Sequence, residues 1–182
     1  MEIELARSAA PHDLSSHATI LVLMSYGYKV ATKGTNGFTC LVERSWTASF
    51  DSPEFWNPKN LPPICYNAAA SRSVLTYPLR RTEMVLAGVP KPQMLARIET
   101  AVAQNQSPLP EPGSMAYMLS KQQYLGDAIK AGGPHLMFFA PKAAGANGGA
   151  RDLVNSSIIA LLNFGISSGL RLVTSKRSCT TG

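Results

Sequence analysis

The chain has 182 residues, enough for one domain with its own core, and carries a net charge of +6. Apolar residues make up 45% of it and charged residues 15%, which excludes a charge-rich disordered chain and points to a globular protein. No apolar run is long enough to span a bilayer, and the cations of residues 112–182 are too scattered for a nucleic-acid footprint.

Residues 2–9 predict a short helix stopped by Pro11. Residues 13–27 are ambiguous: Ser15 or Ser16 can cap a helix to about Met24, whereas Thr19–Leu23 is a β-branched and Leu run suited to a buried strand. We expect a helix or a helix-to-strand transition ending at Gly27. Residues 28–45 predict a β-hairpin turning at Asn36-Gly37, with Phe38, Cys40 and Val42 on one face and Glu43 on the other. Four prolines make residues 47–63 irregular. A helix is expected over 67–87, kinked at Pro78, with Val74, Leu75, Leu79, Val85 and Leu86 as its apolar side and Gly88 at its end. Arg72, Arg80, Arg81 and Glu83 fall away from that side. A second helix follows to about Gln104, then a stiff connector over 107–113.

Residues 114–119 and 135–140 predict strands, with a short helix from Ser120 to Ala128 between them. A last helix over 153–164 and a loose end from Ser175 complete the pass. The expected fold class is α+β: a small antiparallel sheet (hairpin 28–45 plus strands 114–119 and 135–140) with helices inserted between the strand pairs. Residues 1–146 form the expected domain, and 147–182 a separate, partly flexible segment.

The chain holds three cysteines and three histidines without metal-ligand spacing, so no metal and no cofactor is expected. Catalytic signatures such as GxSxG, HExxH, a Walker loop or GxGxxG are missing. Cys40 and Cys65 are the only pair considered for a disulfide, and only in an oxidising compartment; elsewhere they are buried thiols. His135 is either a structural histidine or a general base. In the second case Ser114, Tyr117, Ser120 or Cys65 supplies the hydroxyl or thiol, and Glu43 orients the ring. Trp46, Phe55, Trp56 and Tyr66 either line a pocket for an apolar ligand or pin the long loop to the core.

The stretches IELARSAAP, GYKVATKGTNGFTCLVERSW, EFWNPKNLPPICYNAAASRSVL, EPGSMAYMLSKQQYLGD and PHLMFFAP resemble a family of uncharacterised, mostly exported bacterial proteins. The resemblance spans residues 2 to about 142 and implies an exported or periplasmic protein whose signal peptide precedes this sequence. It implies no activity, and it does not extend into the divergent segment after residue 146. The expected function is binding of a small apolar or amphiphilic ligand or of a protein partner. The alternative is a small ester or lactone hydrolase with His135 as base.

Overall fold

In the computed structural model, residues 2–104, 106–126 and 133–139 are described in full, together with the strands at 158–163 and 171–173. The fold class is α+β. Helix α1 (Glu2–Arg7) and the single turn α2 (His12–Ser15) lead into β1 (Thr19–Met24) and β2 (Gly27–Thr32). Next come β3 (Thr39–Val42), β4 (Pro63–Tyr66), α3 (Ala68–Arg72), α4 (Thr76–Leu86) and α5 (Lys91–Ala103). The last elements are β5 (Met115–Met118), β6 (His135–Phe139), β7 (Ile158–Asn163) and β8 (Arg171–Val173). Among the described residues, eight strands join one sheet in the order β2-β1-β3-β4-β5-β6-β7-β8. Every pairing is antiparallel except β1 with β3.

The expected hairpin over 28–45 is not formed. Instead β2 folds back on β1, and the chain then crosses to the other edge of β1 to start β3 in parallel with it. The Asn36-Gly37 segment is this crossover. It is tied down locally: Thr35 N donates to His17 O (2.8 Å), Asn36 Nδ2 to Leu14 O (2.8 Å) and Thr19 N to Phe38 O (2.8 Å). Gly34 makes the crossing sterically feasible. A Cβ at that position would lie 2.2 Å from Thr19 N and 2.3 Å from Ala18 C.

Residues 13–27 make the helix-to-strand transition, not a helix to Met24. The β-branched and Leu content of Thr19–Leu23 suits a strand whose Ile20 and Leu21 are both buried. The helix expected over 67–87 breaks at Ser73–Leu75 instead of at Pro78. Pro78 lies in the first turn of α4, where its missing N–H costs no intrahelical bond. Strand β4 lies where the irregular segment was expected to run into that helix.

No helix forms over the described residues 120–126. Ser120 Oγ accepts from Gln122 N and closes a turn. Residues 158–163, expected as helix, form β7; residues 153–157 and 164 lie outside the described residues. The boundary expected at 146, the flexible stretch around it and the loose end from Ser175 also lie outside them. Beyond that boundary, β7 and β8 continue the same sheet.

Both faces of the central strands are covered. On one face, α1 lies over Ile20, Cys40, Val42 and Cys65, and its neighbourhood is built from Ala6, Ala9, Ala10 and Ala18. Small residues let the backbone of that layer sit close to the sheet. On the other face, Leu21, Leu41, Ile64, Tyr66, Ala116, Met118, Met137 and Phe139 pack under Ala70, Val74 and Leu75. A third apolar cluster holds Phe50 and Phe55 against Met94, Ile98 and Val102 of α5. Among the described residues no helix is long and apolar enough to cross a membrane.

Candidate functional site

Side chains alternate across β3. Cys40 and Val42 face α1, so Leu41 and Glu43 face the layer beneath α3 and α4. Glu43 therefore enters a buried space; the face opposite Cys40 is not a solvent face. Its backbone N–H still continues the pairing, donating to Pro62 O (2.8 Å). Tyr66, two residues beyond Ile64 on β4, reaches along the same face and donates its hydroxyl to Glu43 Oε1 (2.5 Å).

Helix α4 presents Pro78, Arg81 and Thr82 inward, so its buried stripe contains a cation. Arg81 is only 5% exposed. Its Nη1 donates to Thr47 O (3.0 Å), to Ala48 O (2.6 Å) and more weakly to Trp46 O (3.4 Å). The guanidinium carbon stacks 4.2 Å from the Phe50 ring centroid. Arg81 thus fastens the turn after β3 to α4 and holds a positive charge near Glu43.

Between α4 and the sheet lies a cavity of about 370 Å³. Ile64, Met118, Met137 and Phe139 form its apolar floor, while Val74, Tyr77, Pro78 and Arg81 come from the helical side. Glu43, Tyr66 and Asn60 supply polar groups to the same lining. Burial pushes Glu43 above the ordinary carboxylate range, against the opposing hydrogen bonds of Tyr66 and Thr47 and the Arg81 charge. Burial, and then the Glu43 charge, hold the Tyr66 phenol well above its usual value. Burial draws Arg81 down to about 10, a shift that Glu43 and Tyr66 oppose. Two buried ionisable groups of opposite sign therefore line a largely apolar space.

The residues expected around His135 are not brought together. His135 is buried on the cavity side of β6, and its Nδ1–H donates to Gly133 O (2.8 Å). Tyr117 packs on the opposite face with Phe38. Cys65 is on that opposite face as well, in a disulfide with Cys40, its direct partner across β3 and β4. Ser120 Oγ accepts from Ser8 Oγ (2.8 Å), and Glu43 is engaged by Tyr66.

Of the four aromatics, Tyr66 alone lines the cavity. Phe55 is buried between Phe50 and Trp56, at ring-centroid distances of 5.4 and 4.7 Å. Trp46 donates Nε1–H to Thr82 Oγ1 (3.0 Å), and Trp56 is 54% exposed. Trp46 and Phe55 pin the long loop to α4 and α5. Arg81, Asn60 and the two methionines were missed by sequence reasoning. The available signal was spacing: Val74, Pro78, Arg81 and Val85 fall on one helical stripe, which an arginine interrupts.

No protein-family model, curated protein or solved structure matches this chain.

Proposed function

We propose that the protein binds a small amphiphilic molecule in the cavity between α4 and the sheet. The observation that carries this is the pairing of an apolar floor with the buried, hydrogen-bonded Glu43–Tyr66 pair in the same lining. Ligand sites have this composition: mostly apolar walls, with a few placed polar groups that orient the guest. The volume lies within the range of small-molecule pockets. The hydrolase alternative requires a nucleophile beside His135, and Tyr117 and Cys65 project from the other face of the sheet. A panel of short-chain amphiphiles should raise the melting temperature. Saturation at a hundredfold above Kd corresponds to about 2.7 kcal/mol of added stability. A flat response across the panel contradicts the proposal.

The same reading places the protein in an oxidising compartment, as an exported or periplasmic protein. Its support is the Cys40–Cys65 disulfide and the family resemblance of residues 2–142. Closure across 25 residues is worth about 3.5 kcal/mol on the loop-entropy estimate. Protein purified without reductant from its native compartment should show one free thiol per chain after unfolding, that of Cys179. Three free thiols would remove this assignment.

A further inference from the structure

Resting on that reading, we propose that the ligand's polar head is a neutral hydrogen-bond donor, an alcohol hydroxyl, and neither a carboxylate nor an ammonium. Asn60 carries the inference. It is 5% exposed, lines the cavity, and its Oδ1 has no hydrogen-bond partner among the described residues. A buried amide oxygen without a partner costs free energy, which a donor on the ligand recovers.

The neutral donors of the lining are already engaged. Tyr66 gives its proton to Glu43, Thr47 to Arg44 O (2.8 Å), Ser49 to Asp51, and Tyr77 to Pro108 O (3.1 Å). The Asn60 amide is directed at Leu125 O (3.5 Å). Arg81 spends Nη1 on the carbonyls of residues 46–48. Beside these bonds, Asn60 Oδ1 and the Glu43 carboxylate keep acceptor capacity. Burial selects against both ionic heads. Glu43 and Arg81 line the same space and offset each other's charge, so a carboxylate or an ammonium entering it would give up its hydration without an unpaired counter-charge. A hydroxyl donates to the Asn60 acceptor and carries no charge to desolvate.

The test is a titration of the whole chain with 1-octanol, octanoate and octylammonium, three guests with one tail and different heads. Methionine methyl NMR reports occupancy, because Met118 and Met137 both line the cavity. Octanol should shift these two methyls with a Kd at least about tenfold below that of either ion. Asn60→Ala should weaken octanol binding and shrink its lead over octanoate, which has no proton to give Oδ1. An undiminished lead, or tighter binding of octanoate or octylammonium through the same methyls, overturns the inference and leaves the binding reading standing. If none of the three shifts Met118 or Met137, the binding reading fails and this inference falls with it. The wild-type series decides the matter even if Asn60→Ala does not fold.

Discussion

Glu43 is costly for the fold when ionised, and that cost has a pH signature. Its folded pKa is raised by burial, so the native state binds its proton more tightly than the unfolded chain does. The stabilisation this provides is present below the unfolded carboxylate value and is lost as pH rises through the raised folded value. Glu43→Gln keeps an acceptor for Tyr66 and cannot ionise. Urea unfolding from pH 4 to 8 should show the wild type losing stability relative to Glu43→Gln as pH rises. Parallel pH curves for the two proteins would mean that Glu43 is not held in a desolvated site. The residue's placement was half legible: alternation put it opposite Cys40, but which face is covered depends on α3 and α4 packing there. Arg81 was not legible, because an arginine on a helix ordinarily faces water. Here it is retained inside because three backbone carbonyls and the Phe50 face receive it.

Among the elements, the crossover between β2 and β3 is the most constrained. Gly34 passes against the backbone of residues 17–19, and the loop is then sewn to them by hydrogen bonds. Gly34→Ala forces backbone against backbone, which a side-chain rotation cannot relieve. It should destabilise by about 3 kcal/mol, at the upper end of overpacking costs, in a denaturant titration. A loss below about 0.5 kcal/mol would place residue 34 in an open loop. The strands at 28–32, 39–42, 115–118 and 135–139 were legible from alternation and β-branched content. Their pairing was not. Asn-Gly fits a two-residue hairpin turn locally, and only the long-range contacts of Gly34 and Asn36 with residues 14–19 select the crossover instead. Strand β4 was hidden for a different reason. Its four residues are all buried, so they carry no alternation, and prolines precede them.

At the scale of the whole molecule, the sheet is a partition. One side carries the alanine-rich α1 layer over the disulfide, and the other a cavity under α4. The α+β class could be read from the succession of elements, but the cavity could not. It is assembled from segments as distant as Glu43, Arg81 and Phe139, and no local pattern marks that convergence. The most direct test of the binding account is a calorimetric titration of wild type and Val74→Trp with 1-octanol. Val74 is buried at the cavity wall, so an indole there occupies the space a guest would take. The account predicts saturable one-site binding to the wild type and its loss in a Val74→Trp protein that still unfolds cooperatively. Undiminished binding by that folded variant would contradict it.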